Sequence, residues 1–594
     1  MGAAIAVRVL RSSGRLALLA LAVVLPFEAS QPIARLGPLQ LSSVELFLYL
    51  ALAAWGASLV TDFMMGDRDL IRRLRRWPAA HRAVVALALV MFVSAAAAPA
   101  ARASALKFAL RSAGGMLLYA AAADLLRAPG AAARTAKALG AGALGAAALA
   151  IAEWRGAPVA SLLRPFHDRT FEALGLPRAG GPFQYPNIAA MYLEAVAPVA
   201  VGLGLATIAA RRRAALPGVG AATTTTALVA IALLLGIVAT ASRAGLAGGG
   251  LAVLAESVLA WRAGEARAAR AAIVALLIVG LIAAATPLSR RFRVLDERDW
   301  YHARVRPGAT GRLPPVLAPS AEAVETLELQ NLGALPWQSH PPARVALAYH
   351  WLDAATGQVV LFDGLRTPLP DDVGPGGRVT VQATVRAPSA PGRYILWWDL
   401  VHEHAVWFSE RGNLGLRETV DVRGPAAPGP VALPAAGPPA VSSDGTPTSR
   451  RELWRAAWAA FRDRPLLGLG PDNFRHLYGR YLGLPSADAR MHANSLYFET
   501  LADLGLLGVL AMAALAVAFG RAVRTALAAA GVSGRLVVWG LSLGLGVYFL
   551  HGAVDYFLEF TPTYGLFWLL AGALVALARP APADAPLPDP KGQP

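Results

Sequence analysis

The stretch from Arg464 to Gly508 sets a lone histidine, His492, beside Asn494 and Ser495 on an irregular segment that opens into an apolar helix at about Leu501. An imidazole is the side chain best suited to exchanging a proton near neutral pH. Polar groups at the mouth of a membrane helix point to chemistry at the water–lipid boundary. A plain helix start, capped by Asn494 or Ser495, accounts for the same residues without function. Other pieces place polar residues on the same face. QYPNIAAMYL (184–193) carries Asn187, TASRAGLAGGG (240–250) carries Arg243, GLGPDNF (468–474) makes a Gly-Pro turn, and HGAVDYFLEFTPTYGLFWLL (551–570) carries His551 and Asp555. An arginine this close to hydrocarbon is costly unless it is paired or faces water, so Arg243 is a functional candidate.

These residues need a membrane to position them, and the composition supplies one. The 594 residues are 56% hydrophobic and 16% charged, with a mean hydropathy of +0.47, too apolar for an ordinary soluble chain of this length. The net charge of +17 suggests nucleic acid at first sight, but the arginines sit in short loops between apolar runs. The positive-inside rule explains them, and no nucleic-acid partner is implied. Cysteine is absent, which excludes disulfides, thiolate metal sites and a cysteine nucleophile.

Leu16–Pro26 follows Arg8, Arg11 and Arg15 and resembles a signal peptide with Ala29-Ser30 as cleavage site, but the loop-charge alternation favours a retained first helix. Apolar runs of spanning length recur near 44–60, 82–98, 112–126, 136–152, 188–209, 222–241, 244–261, 271–287, 503–520, 534–552 and 563–578. With the first they make roughly twelve transmembrane helices. Basic clusters mark alternate loops: Arg72, Arg73, Arg75 and Arg76; Arg127, Arg134 and Lys137; Arg211 to Arg213; Arg262, Arg267 and Arg270; Arg521, Arg524 and Arg535. Those loops and both termini are assigned to the cytoplasm, so His492 faces outward. Arg102, Lys107, Arg111, Arg155, Arg164, Arg169 and Arg178 lie on outward loops against that rule. An anionic ligand at the outer face explains them, as does snorkelling of single side chains to the headgroups.

Between Pro287 and Arg450 the pattern changes to short Val-, Tyr- and Trp-rich runs between turns, among them RVALAYHWL, RVTVQATV and RYILWWDLV. This predicts an extracytoplasmic β-sandwich of roughly seven strands at immunoglobulin-like spacing. Its Trp351, Trp397, Trp398 and Trp407 are able to stack on sugars, although core packing is the commoner fate of strand aromatics. A Pro/Ala/Gly linker follows. In Arg450–Asp463, Leu453, Trp454, Ala457, Trp458 and Phe461 recur at helical spacing beside arginines, which predicts an amphipathic helix lying on the outer interface.

The expected organisation is a first transmembrane part of about nine helices (1–289), a β-sandwich insert (290–425), the linker (426–448), an interfacial helix with the active-site loop (449–502), three last helices (503–580) and a disordered tail (581–594). DERD (296–299) and HEH (402–404) are read as a solvated turn and strand-edge polarity, so no metal is expected.

TASRAG, YPNIAAMYL, RPLLGLGPDNF, HANSLYFETLADLGLLG and HGAVDYFLEF, in this order, resemble the O-antigen ligase / Wzy polymerase family of polytopic membrane glycosyltransferases. The resemblance covers nearly the whole chain except the β-sandwich. Where many members read His-x-His-Asn, this chain has Asn494 and Ser495 at the last two positions, leaving His492 as the candidate base in the motif.

The resemblance implies a glycan donor on a polyprenyl pyrophosphate and an acceptor hydroxyl on lipid A core or another surface glycan, at the periplasmic face of a bacterial inner membrane. No cofactor is implied, since the donor is already activated. The anionic leaving group calls for positive charge, assigned to Arg243 with Arg102, Lys107, Arg111 and Arg164 nearby. His492, with an ordinary pKa near 6.5, takes the acceptor proton, oriented by Asp555 or Glu499. Asn187, Asn494 and Asp555 complete the expected substrate contacts. A Wzy-type polymerase and a protein O-oligosaccharyltransferase are alternatives within the class. A polytopic transporter is the alternative outside it, opposed by the absence of two-half sequence symmetry and by the gathering of polar residues at one face.

Overall fold

The computed structural model describes residues 2–36, 39–65, 78–167, 171–173, 176–286, 289, 297–340, 344–403, 406–424, 450–482 and 489–579. The basic cluster Arg72 to Arg76, Arg169, Asp296 of DERD, His404 of HEH, the 426–448 linker and the 581–594 tail lie outside the described residues. The chain divides into two compact units, one holding the helical segments and one holding most of residues 287–448.

In the helical unit, nine helices among the described residues are long and apolar enough to cross a membrane: Ser43–Met64, Ala79–Ala96, Ala131–Trp154, Pro186–Arg213, Val219–Ala239, Arg243–Arg262, Ala266–Ala285, Leu496–Ala529 and Val532–His551. Thr561–Leu577 is apolar but shorter. Gly2–Val24, with Arg8, Arg11 and Arg15, and Arg102–Leu125, with Arg102, Lys107 and Arg111, are further long helices outside that set.

Pro186–Arg213 is the most enclosed of the nine. It packs against Val219–Ala239, Arg243–Arg262 and Val532–His551. The last of these comes backbone to backbone: a Cβ on Gly540 would stand 2.6 Å from the Pro198 carbonyl, and one on Gly544 2.4 Å from that of Ala195. Small residues permit such close approach, the usual source of helix association in lipid.

Leu496–Ala529 is broken at Gly505, whose φ of 61° and ψ of −158° leave the helical region. The break frees backbone groups that must be satisfied, since no water reaches the hydrocarbon. The turn before it supplies the partners. Leu469 N and Gly470 N donate to the Ala502 and Asp503 carbonyls at 2.9 Å, and Leu506 N donates to the Pro465 carbonyl at 2.8 Å. RPLLGLGPDNF is therefore laid along the broken helix and becomes part of its wall.

The second unit contains two sheets. The larger runs, edge to edge, through Thr367–Pro368, Val345–Asp353, Gly392–His402, Leu416–Val422 and Val316–Leu317, with Val359–Leu361 and Val406–Trp407 attached. The smaller is Arg378–Arg386, Glu322–Asn331 and Ala303–Pro307. Among these strands pairing is antiparallel except where Leu416–Val422 meets Val316–Leu317. One core joins them, with Leu327, Leu329, Val381 and Val385 from the small sheet and Leu347, Trp351, Leu396 and Trp398 from the large one.

Trp351 and Trp398 are fully buried in that core, so the sugar-stacking reading fails for both. Trp397 and Trp407 are half-buried, but Arg417 lies over the first ring at 4.3 Å and Arg366 over the second at 4.9 Å. Alternation along a strand sends neighbouring residues to opposite faces, which is why Trp397 and Trp398 part company.

Arg450–Asp463 is helical, as its spacing predicts. Its apolar face, however, is not offered to lipid. Leu453, Ala456, Ala457 and Ala460 are packed with Phe474, Tyr478 and Ala502.

Candidate active site

Ser495 caps the helix beginning at Leu496, its hydroxyl accepting from Phe498 N at 3.5 Å. The first helical amide, Leu496 N, donates outside the helix to the carbonyls of Gly552 at 2.7 Å and Asp555 at 3.1 Å. The segment 552–560 thus straps across the helix mouth, and the site is built beneath it.

His492 is buried, 6% exposed, between two carboxylates. Its Nδ1 lies 2.6 Å from Glu499 Oε1, and the other oxygen of Glu499 accepts from Ala493 N at 2.6 Å. Its Nε2 lies 2.9 Å from Glu559 Oε2, an ion-pair contact too bent for a good hydrogen bond. Tyr556 covers the ring at 5.2 Å between centroids. Burial alone would push the imidazole down, but Glu499 and Glu559 together more than offset it and hold His492 well above its ordinary value. Burial raises Glu559, yet the charge of His492, helped by Arg475 and Arg111, leaves its carboxyl below the usual range. The two carboxylates flanking His492 thus favour its charged form. The shift away from the unperturbed value has its cause in both partners converging on one buried ring.

The turn 468–474 adds a second charged pair. Arg475 Nη2 donates to Asp472 Oδ2 at 2.7 Å, and Ser104 Oγ to the same oxygen at 3.2 Å. Asp503, buried beside the helix break, fixes this turn by accepting from Asp472 N and Phe474 N, both at 2.7 Å. An open cleft of about 630 Å³ meets the cluster, lined by Glu499, Asp503 and Tyr556 and by apolar residues such as Met91, Met116, Leu515 and Trp568.

The expected site residues fall into groups. Asn187 and Asp555 come together: Asn187 Nδ2 donates to Asp555 Oδ2 at 2.9 Å, and Asn187 Oδ1 accepts from Arg178 Nη2 at 2.5 Å. Arg178 also donates to the Thr240 carbonyl at 3.0 Å, three residues before Arg243. Arg243 is half-buried and opens the helix Arg243–Arg262 behind its cap Ser242, where the helix dipole adds positive charge. Asp555 serves Asn187, so the orienting partner of His492 Nδ1 is Glu499.

Arg111 is committed to the strap. It donates to the Glu559 carbonyl and, at 2.7 Å, to Thr561 Oγ1, with its guanidinium 5.0 Å from the Tyr564 ring centre. Arg102, Lys107 and Arg164 are exposed. Asn494 sits at a φ of 49°, with Nδ2 3.9 Å from Met491 Sδ. Among the described residues no group of three or more His, Cys, Asp or Glu forms a metal cluster.

Sequence reasoning missed Glu559, Arg475 and Glu194. Glu559 lies four residues after Asp555 in the same motif, a spacing that carried the signal. Glu194 lies in the Pro186–Arg213 helix, 2.5 Å from His551 Nδ1, and a carboxyl inside an apolar helix is itself a sign of function or pairing.

Residues 412–513 match the family model described as O-antigen ligase. Over this stretch the chain is similar to the O-antigen ligase/Wzy family. The matched residues include Asp472, Arg475, His492 and Glu499, whereas Asn187, Arg243, Asp555 and Glu559 lie outside them. The apolar helices of spanning length among the described residues, taken with this match, point to a multi-pass membrane protein similar to the ligase/polymerase type. No curated protein matches the chain. A solved structure, Pseudomonas fluorescens alkylpurine DNA glycosylase AlkC bound to DNA containing an abasic site analog, aligns at 10% identity over 58% of this chain and 97% of its own, with a TM-score of 0.14. A likeness that weak carries no argument about fold or function.

Proposed function

We propose that the protein is an O-antigen ligase-like glycosyltransferase that moves a glycan from a polyprenyl-pyrophosphate donor to an acceptor hydroxyl at the periplasmic face of the inner membrane. The observation that carries this reading is the Glu499–His492–Glu559 array beside a mostly apolar cleft. The acceptor oxygen attacks the anomeric carbon, the carbon–oxygen bond to phosphate breaks, and the polyprenyl pyrophosphate leaves with the electron pair. The acceptor proton passes to the Glu559 carboxylate. His492, already protonated, accepts none. It keeps Glu559 ionised beforehand and supplies positive charge as the leaving group develops. Arg243 stabilises the departing pyrophosphate, and Arg475 adds further positive charge.

Twelve spans and an immunoglobulin-like insert outside the cytoplasm complete this reading. In support of the topology, Arg11 pairs with Asp62 at 3.1 Å, and Glu265 with Arg212 at 3.0 Å and Arg213 at 3.3 Å. Asp62, Arg212, Arg213 and Glu265 lie at or beside helix ends assigned to the cytoplasm, and Arg11 lies within Gly2–Val24. A reporter fused within 340–420 is expected to be active outside the cytoplasm, and one fused at 212 or 265 inside it. Inverted activities would reject the site.

The chemistry is tested with purified protein in detergent, given a lipid-pyrophosphate donor, no nucleotide and a chelator. Transfer is expected in wild type and lost in Glu559→Gln. A transporter would give no product in this single-compartment assay.

A further inference from the structure

With its apolar face taken up by the helical unit, Arg450–Asp463 turns a different face outward. Arg451, Arg455, Trp458 and Arg462 are all exposed, Trp458 at 49%. At 100° per residue they fall within roughly 60° of arc, one narrow stripe. Glu452, on the same helix, stands 3.9 Å from Arg455, and an exposed i,i+3 pair of that kind contributes little.

The stripe leads toward exposed apolar residues. Past Arg462 and Arg464 the chain reaches Leu466, 61% exposed, whose carbonyl accepts from Leu507 N at 3.2 Å. Leu507, Leu506 and Leu510 are exposed on a helix of spanning length. A row of arginines with one tryptophan therefore runs into an exposed leucine surface of a membrane helix. That sequence of chemistries, cationic, then indole, then aliphatic, is the profile of a bilayer from headgroups inward.

We infer that the Arg451–Arg455–Trp458–Arg462 stripe is a docking surface for the phosphate headgroups of anionic phospholipids in the surrounding bilayer. The arginines take the phosphates, and Trp458 sits at the headgroup level. The occupant follows from the continuity with Leu466 and Leu507: whatever covers the arginines is continuous with what covers the leucines. Contact through this face would hold the Arg450–Asp463 helix against Phe474–Leu482, and so steady the turn that carries Asp472 and Arg475. The inference rests on the membrane reading of the leucine surface and not on the transfer reaction.

The test is the thermal unfolding of the full-length protein in a neutral detergent, titrated with phosphatidylglycerol. Wild type is expected to gain Tm at low lipid concentration, and the gain to shrink as salt is added. Each arginine near an anionic surface strengthens binding about fivefold, so Arg451→Gln/Arg455→Gln/Arg462→Gln should need on the order of a hundredfold more lipid for the same gain. The corresponding triple lysine variant keeps most of it, since it keeps the charge. All three side chains are exposed, so the lipid-free Tm should stay at the wild-type value. An equal gain in the glutamine variant would overturn the inference. An equal gain with phosphatidylcholine would overturn it by showing that charge is irrelevant. An equal gain with inorganic pyrophosphate would overturn it by showing a site for soluble phosphate.

Discussion

Two buried histidines, one in each unit, show how different a histidine beside a carboxylate can be. His350 in the β-unit is wholly buried and Asp399 lies near it, as Glu499 lies near His492. But Asp399 is already engaged by backbone amides, Leu400 N at 2.8 Å and Ser409 N at 3.2 Å, and stands 3.6 Å from His350 Nε2, beyond hydrogen-bond reach. His350 pairs its Nδ1 with the Phe362 carbonyl and fills a space among Phe362, Trp397 and Trp407. It is a packing residue. His492 holds one carboxylate on each nitrogen, one of them on the strap. Burial does not tell the two histidines apart; convergent carboxylates beside a cleft do.

The largest expected effect separates the two directly. His492→Ala and Glu559→Gln should each slow transfer by about a hundredfold to ten-thousandfold at unchanged protein level. His350→Phe should leave turnover within a small factor of wild type. The Arg111 bond to residue 559 goes to the backbone carbonyl, so Glu559→Gln keeps the strap anchored. Equal loss in His350→Phe would erase the distinction drawn here.

Arg243→Ala should come next, with turnover abolished or nearly so and Arg243→Lys recovering only part. A point charge does not reproduce the guanidinium fork on a pyrophosphate. Full recovery with lysine would reduce Arg243 to a general source of charge.

Replacing 300–440 with a short flexible linker removes His350 and its whole surroundings. Turnover is expected to fall but persist, because the charged cluster lies in the other unit. Complete loss with normal membrane insertion would make the β-unit part of the active site.

The smallest effect is on pH dependence. The raised pKa of His492 contributes stability that is fully present below about pH 6.5 and is lost as pH climbs through its folded value. The depressed pKa of Glu559 contributes stability present above about pH 4.3 and lost as pH falls through its folded value. The pair is thus at full strength between these ordinary values. Turnover of wild type should show no inflection near pH 6.5, whereas an ordinary imidazole base would give one. A midpoint there would return the base role to His492. His350→Ala should leave the pH profile alone and cost about 1–3 kcal/mol of stability, the price of orphaned buried partners.

The sequence by itself determined what local chemistry determines. Long apolar runs become helices because their backbone must satisfy itself in hydrocarbon, and nine of them meet that description among the described residues. Alternating Val, Tyr and Trp runs become paired strands, and the ordered motifs carry the resemblance to the O-antigen ligase family, which the match over 412–513 supports. His492, Asn187 and Asp555 were legible as polar residues at helix mouths. Their partnerships were not. Nothing in Asp555 and Glu499 as residue types says which of them reaches His492, and packing gave it to Glu499 while Asp555 went to Asn187. The amphipathic period of Arg450–Asp463 was plain, but whether its apolar face met lipid or protein depended on Phe474 and Ala502 folding over it. Above all, the raised pKa of His492 belongs to no local pattern. It arises because Glu559, far along the chain, is strapped back onto the same ring, and Coulomb attraction depends on distance in space and on burial, neither of which one-dimensional spacing records.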